Sequence, residues 1–190
     1  MFSDHKMLFG TPSKLQDGRY FLRITDDDGQ KAMHQLNNIT LAITDDNQVT
    51  VSGADPALFS QIDDQILSQA KDSNILWFGK EISNETITSS YQTSLNPESE
   101  LSASLTTIKG KIVTTVYDTQ KKQVELGAIG TDPVDAWFEL IGLVFTRRTF
   151  EPVWKIVQVR IRSAPKSKFP REYLFRDDED EDDEDQEVDL

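Results

Sequence analysis

The 190-residue sequence contains no cysteine, so disulfides, thiolate zinc sites and cysteine nucleophiles are excluded. It also lacks long apolar runs. The first ten residues, MFSDHKMLFG, do not have the charged and apolar regions of a signal peptide. No stretch approaches the roughly 20 apolar residues of a membrane helix. These absences predict a soluble intracellular protein.

Residues suited to catalysis are scarce as well. Only His5 and His34 titrate near neutral pH, and neither has a recognisable Ser or Asp partner pattern. The stretch GKIVTT lacks the upstream glycine and the Gly-Lys-Ser/Thr order of a phosphate loop. The acidic turn at residues 26–28 lacks the ligand spacing of a calcium loop. We therefore expect a protein that is not an enzyme and that holds no metal or cofactor.

Charge is distributed very unevenly along the chain. The formal net charge is −13, from 20 Lys and Arg against 33 Asp and Glu. Residues 177–190 contain 11 acidic residues and no basic one, which leaves a net charge of −2 for residues 1–176. Within that part, residues 140–176 carry nine Lys or Arg against two Glu. A basic segment inside an acidic protein indicates an anionic partner.

Apolar patterning predicts an α+β, β-rich domain over residues 1–176 and a disordered acidic tail over residues 177–190. One helix is well signalled in residues 54–74, where Asp55 is placed to cap it and Pro56 to begin it. A weaker helix is predicted at 83–95. Short strands with one intervening helix favour a small β-barrel or sandwich. The predicted strands are 19–25, 40–44, 49–53, 104–108, 111–118, 123–127, 136–147 and 153–162.

The last predicted strand, VWKIVQVRIR, is sorted into two faces by alternation. One face is expected to be mostly core and holds Val153, Lys155, Val157, Val159 and Ile161. The opposite face holds Trp154, Ile156, Gln158, Arg160 and Arg162. A face that combines tryptophan with amide and guanidinium groups suits unpaired nucleic acid, because bases stack on the ring and phosphates pair with arginine.

Further cations and aromatic rings extend this predicted surface. The turn TRRTFEP is expected to present its side chains at a hairpin tip, and Gly79 leads into a turn that carries a lysine. The predicted nucleic-acid-binding residues are Lys80, Arg147, Arg148, Phe150, Trp154, Lys155, Gln158, Arg160, Arg162, Lys166 and Lys168. The structural alternatives are that the arginines are merely solvated, that residues 75–78 are a core strand, and that the rings are core, namely Trp137, Phe138, Phe145 and Trp154.

Three short motifs carry a resemblance to a known family. Phe78-Gly79-Lys80, Tyr91 and the run WKIVQV at 154–159 resemble single-stranded-DNA-binding proteins of large eukaryotic DNA viruses. That resemblance implies an OB-like barrel that coats single strands during DNA replication or recombination, in the host cytoplasm or nucleus.

The overall layout also resembles phage and bacterial single-stranded-DNA-binding proteins, in which an acidic tail competes with DNA and docks replication partners. Val188 and Leu190 match the apolar tip of such tails, whereas the usual terminal aromatic or proline is absent. The implied regulatory residues are Asp177, Asp178, Glu179, Asp180, Glu181, Asp182, Asp183, Glu184 and Asp185.

These observations predict a non-catalytic protein whose partners are single-stranded DNA and, through the tail, replication proteins. DNA versus RNA and self-association stay open. Two other interpretations remain. In one, an acidic-tailed chaperone or adaptor binds basic proteins. In the other, a viral structural protein uses the tail for solubility.

Overall fold

A computed structural model describes residues 6–162 of the chain. Two predicted contacts, Lys166 and Lys168, lie outside the described residues. So do the predicted tail at 177–190 and its nine predicted regulatory residues, Asp177, Asp178, Glu179, Asp180, Glu181, Asp182, Asp183, Glu184 and Asp185. Between residues 6 and 162, no helix combines the length and the apolar composition needed to cross a bilayer.

The described chain forms twelve strands, three α-helices and one 3-10 helix at Leu126–Ala128. The α-helices are α1 (Pro56–Asp72), α2 (Asn74–Phe78) and α3 (Asn84–Ser90). The strands are β1 (Leu8–Phe9), β2 (Ser13–Lys14), β3 (Tyr20–Thr25), β4 (Ala32–Ile43), β5 (Gln48–Ser52), β6 (Leu101–Leu105), β7 (Thr107–Ile108), β8 (Lys111–Ile112), β9 (Thr115–Tyr117), β10 (Gln123–Val124), β11 (Val134–Phe145) and β12 (Phe150–Ile161).

Five strands close into a barrel. Going around it, β4 pairs with β5, β5 with β6, β6 with β12, β12 with β11, and β11 with β4 again. Only the β6–β12 pair in this ring is parallel. Numbered along the chain, the barrel strands follow the order 1-2-3-5-4-1, which is the arrangement of an OB-like barrel. The prediction of a β-rich α+β fold of OB-like type is confirmed.

The remaining strands extend the barrel. β3 pairs with the last residues of β11, and β1 and β2 pair with β3. On the other side of the barrel, β9 pairs with the last part of β12 in parallel, and β10 pairs with β9. Between β6 and β9 the chain makes a separate β7–β8 hairpin. The predicted strand at 111–118 is therefore wrong in detail, because its residues divide between two sheets.

The long helix confirms its sequence signals. The Asp55 carboxylate accepts a hydrogen bond from the Ala57 N–H at 3.0 Å, and Pro56 begins α1. The apolar stripe is buried against the barrel; it includes Phe59, Ile62, Ile66 and Ala70. Along the chain, the three helices follow the second barrel strand and precede the third. They pack beside the β11–β12 turn: Phe59 of α1 contacts Trp154, Trp77 of α2 contacts Phe145, and Tyr91, which follows α3, bridges to Phe150.

A β-bulge in β12 makes the predicted faces wrong for residues 153–157, whereas for residues 158–162 they are as predicted. Ile156 lies opposite Phe138 and Gln158 lies opposite Trp137, so Val157 is an extra residue on its strand. The inward-facing position shifts by one residue at the bulge. Before it, Trp154 and Ile156 point into the core, and after it Val159 and Ile161 do so.

Candidate nucleic-acid interface

A groove of about 530 Å³ opens beside the β11–β12 turn. Its walls come from the turn itself, from α2 and the residues after it, and from the start of β3. Three cationic residues line it, Lys80, Arg147 and Arg148. Five aromatic residues line it as well: Tyr20, Trp77, Phe78, Phe145 and Phe150. Four of the sequence-predicted contacts therefore converge in one groove, including Lys80, which is 67 residues before Arg147.

The turn that carries the two arginines is closed by a threonine. The Thr146 hydroxyl accepts hydrogen bonds from the backbone N–H groups of Arg148 at 3.2 Å and Thr149 at 3.0 Å. The Thr146 N–H donates to the Thr149 carbonyl at 2.8 Å. Both arginine side chains are exposed, and neither forms an ion pair with any residue between 6 and 162. The turn thus presents two solvated guanidinium groups on a fixed backbone.

Lys80 reaches the same groove because α2 ends sharply. Gly79 adopts φ 70°, ψ −2°, a left-handed conformation that glycine takes without steric cost, and its N–H bonds the Ile75 carbonyl at 2.9 Å. The prediction of a turn at Gly79 is confirmed, although residues 74–78 form a helix rather than the core strand weighed in the sequence. A short apolar run is compatible with either structure until its packing is known.

Stacked and edge-on rings form the floor of the groove. Phe145 and Phe150 stack with their centroids 5.4 Å apart and an interplanar angle of 9°. Phe78 packs edge-on against both, at 5.9 Å and 5.5 Å. Phe150 is only 1% exposed, Phe78 is half-buried and Tyr20 is 45% exposed. Phe150 is therefore a support of the floor, and Phe78 and Tyr20 are the rings accessible to a ligand.

Trp154 does not lie on this surface. It is 2% exposed and packs edge-on against Phe59 of α1 at 5.4 Å and against His34 of β4 at 5.5 Å. The predicted role of Trp154 as a stacking platform is wrong, because the bulge at Val157 makes its position an inward one. The core alternative weighed for this ring is the one observed.

The end of β12 uses its arginines internally. Arg160 donates to one Asp135 oxygen at 2.5 Å and 3.2 Å, and Arg162 lies 3.5 Å from the other. The Asn38 N–H also donates to that carboxylate, at 3.0 Å. Burial by itself raises the pKa of Asp135, but the hydrogen bonds from Arg160 and Asn38 and the charge of Arg162 outweigh it and lower the pKa. Arg160 and Arg162 therefore have a structural partner, unlike the two groove arginines.

The two remaining predicted contacts lie on the outer side of the barrel. Lys155 is half-buried opposite Glu139, and Gln158 is half-buried and donates weakly to the Thr115 hydroxyl at 3.4 Å. Neither residue lines the groove. The structure thus divides the predicted set between the groove, the core and the barrel wall.

Other surfaces fit nucleic acid less well. In OB folds the second and third strands commonly carry the ligand, but here the solvent-facing residues of β5 and β6 are small or neutral: Gln48, Thr50, Ser52, Ser102 and Ser104. The β4–β5 turn adds Asp45 and Asp46. A larger depression of about 670 Å³ beside α2 has Asp72 and Glu81 against Lys71 and no aromatic ring. Cations and rings coincide in the groove.

Sequence reasoning missed Tyr20 and Phe78 as groove residues. The sequence singles out Phe78 as part of the Phe-Gly-Lys turn, but the alternative weighed for residues 75–78 is a core strand and not a binding surface. Tyr20 begins a strand that is 125 residues before Phe145, and only the β3–β11 pairing brings the two opposite each other. In the part of the chain from 6 to 162, no three His, Asp or Glu side chains are grouped so that they could hold a metal ion.

The fold and groove define an OB-like barrel protein with a cationic, aromatic groove at one end. A family of unknown function, DUF5871, matches residues 37–177, which are 141 of the 190 residues. The chain belongs to this family. No curated protein has a detectably similar sequence.

Among solved structures, the chain is similar to the single-stranded DNA-binding protein from bacteriophage Enc34 at 12% identity. That match covers 91% of this chain and 98% of the other, with a TM-score of 0.46. The same phage protein in complex with ssDNA matches at 12% identity over 83% and 97% of the two chains, with a TM-score of 0.45. Its C-terminal truncation matches at 12% identity over 83% and 95%, with a TM-score of 0.44.

Proposed function

We propose that this protein is a non-catalytic single-stranded-DNA-binding protein and that the strand enters the groove beside the β11–β12 turn. The convergence of three cations and two accessible rings in one groove is the observation that carries the proposal. Lys80, Arg147 and Arg148 supply the charge, and Tyr20 and Phe78 supply the rings. Unpaired strands are bound in this manner by positively charged grooves that contain stacking platforms.

The chemistry favours an unpaired strand over a duplex. A ring can stack only on a base whose face is open, and bases in a duplex are covered by their neighbours. Stacking is worth about 1–3 kcal/mol per base by alanine substitution and tolerates any sequence. The strand would pass its backbone along the arginines and place bases against the rings.

The acidic run at residues 177–190 supplies the second part of the proposal. It carries 11 negative charges on a segment that follows directly after the basic part of the chain. A tethered polyanion competes with phosphates for the same cations, so it would weaken binding without any change in the groove. Recruitment of replication proteins through the tail is the further proposed role, in replication or recombination.

A titration tests the proposal. A labelled oligo-dT and a duplex of equal length are added to the full chain and to a chain that ends at Arg176. We expect oligo-dT to bind more tightly than the duplex, and the shortened chain to bind oligo-dT more tightly than the full chain. Equal affinity for the two ligands would contradict single-strand recognition. Unchanged affinity in the shortened chain would contradict competition by the tail while leaving single-strand binding intact.

A further inference from the structure

An indole is exposed on the outer wall of the barrel, away from the groove. Trp137 is 39% exposed, whereas the other two tryptophans, Trp77 and Trp154, are 6% and 2% exposed. It lies eight residues before Phe145 on the same strand, so about 26 Å of strand separates it from the groove, at about 3.3 Å per residue. An exposed large ring on a regular strand leaves apolar surface in water, and the side chains beside it indicate which ligand could cover that surface.

The neighbours of Trp137 form a polar row across four strands. Gln35 of β4 lies opposite Trp137 on one side, and Gln158 of β12 lies opposite it on the other. Thr115 of β9 lies next to Gln158 and accepts its weak hydrogen bond. The ring is thus flanked by two amides. The Gln35 amide nitrogen also donates a hydrogen bond to the Asn37 Oδ1 at 2.7 Å. Each amide keeps its oxygen and a second N–H, so each can accept from and donate to a base edge.

Cations lie toward both ends of the Trp137 strand segment. Two of them pair with acidic residues of β11: Lys31 with Glu139 at 2.7 Å, and Arg160 with Asp135 at 2.5 Å. Lys155, opposite Glu139, forms no ion pair with a residue in the described range, and the Arg160 side chain stays 58% exposed beyond its contact. Four cations, Lys31, Lys155, Arg160 and Arg162, therefore accompany the two β11 carboxylates, and exposed Glu125 follows β10 beside Thr115.

We propose that Trp137 is a second stacking platform for an unpaired base of the strand that the groove holds. In this arrangement the amides of Gln35 and Gln158 contact the base edge, and Lys155 and Arg160 contact the flanking phosphates. The inference rests on the proposed function, since it extends the path of the same strand along the barrel wall. A protein partner is disfavoured because such docking sites are contiguous apolar patches, and the row beside Trp137 consists of amides and a hydroxyl.

The test uses the full chain and a fluorescently labelled dT15. Trp137→Leu keeps the apolar bulk and removes the aromatic face, and Trp137→Phe keeps a smaller face. Gln48→Ala, on the neutral outer side of β5, is the matched control. Stacking of one base predicts binding about 5- to 150-fold weaker for the leucine variant. The phenylalanine variant should retain most of the affinity, and the control should bind like the wild type.

Intrinsic fluorescence gives an independent readout. A base stacked on Trp137 should quench the emission of the wild type when dT15 saturates it, and most of that quenching should vanish in Trp137→Phe. This comparison holds even if the leucine variant fails to fold. Unchanged affinity in Trp137→Leu together with unchanged quenching in Trp137→Phe would overturn the inference. If Arg147→Ala weakens binding in the same series, the proposed function survives that result; if the wild type itself ignores dT15, both fail.

Discussion

Arg147 and Arg148 should set the salt dependence of single-strand binding. Both are exposed at the tip of the β11–β12 turn, and neither has an ion-pair partner among residues 6–162. Each is therefore available for one phosphate. On single strands, the logarithm of the binding constant falls with the logarithm of salt concentration by about 0.7 for each phosphate contact, because each contact releases condensed counterions.

The magnitude follows from that slope. Replacing both arginines with alanine removes two contacts, so the salt dependence should become shallower by about 1.4. At 0.1 M salt, tenfold below a 1 M reference, each contact contributes a factor of about 5 to the binding constant, and the pair contributes about 25. The fold should be unaffected, because the turn is held by hydrogen bonds to the Thr146 hydroxyl and no arginine side chain takes part in them.

The assay is fluorescence anisotropy of labelled oligo-dT at four or five salt concentrations. The double variant Lys109→Ala, Lys111→Ala is the control, because it removes the same charge from the β7–β8 hairpin, whose residues do not line the groove. Its salt plot should run parallel to that of the wild type. If the arginine variant also gives a parallel plot, or if both variants lose the same affinity, overall charge rather than the groove governs binding.

Two further predictions concern the fold that supports the site. Gly142→Ala places a Cβ 2.0 Å from the Leu22 carbonyl oxygen, where β3 joins β11, so we expect a loss of about 3 kcal/mol or more in the free energy of unfolding, measured by urea denaturation. Asp135 has a lowered pKa in the folded protein, so its stabilising contribution is present above its unfolded pKa of about 3.9 and is lost as the pH falls through the folded value. Asp135→Asn should accordingly lower the free energy of unfolding by about 2 kcal/mol at pH 7, and the variant should lose less stability than the wild type below about pH 4. If the two proteins lose stability equally in acid, the contacts of Asp135 to Arg160 and Asn38 contribute little.

Much of the architecture could be predicted from local signals. The cap at Asp55 depends on residues within one helical turn, and the apolar stripe of α1 depends on residues a few turns apart. The β-rich content is predicted by the alternation of apolar and polar residues. The two arginines at a hairpin tip were predictable for the same reason, since the turn lies between two apolar runs that pair with each other.

What could not be predicted depends on partner strands. The bulge at Val157 exists only in relation to β11, so alternation within β12 alone placed Trp154 on the surface. The same shift brings Gln158 opposite Trp137. The sequence favours a buried position for this ring, whereas in the structure it is exposed. Tyr20 enters the groove through a pairing between residues more than 120 positions apart, which no pattern in a single sequence reveals.

The path of the strand can be measured directly by photo-crosslinking. The full-length protein is irradiated with saturating dT15 and then digested. The modified peptides are identified by mass spectrometry. The proposed function predicts crosslinks at the accessible groove rings, Tyr20 and Phe78. At a dT15 concentration that half-saturates the wild type, the yield of these crosslinks should fall strongly when Arg147 and Arg148 are both replaced by alanine. Crosslinks confined to the β5–β6 face or to the β7–β8 hairpin, and unaffected by the arginine substitutions, would contradict it.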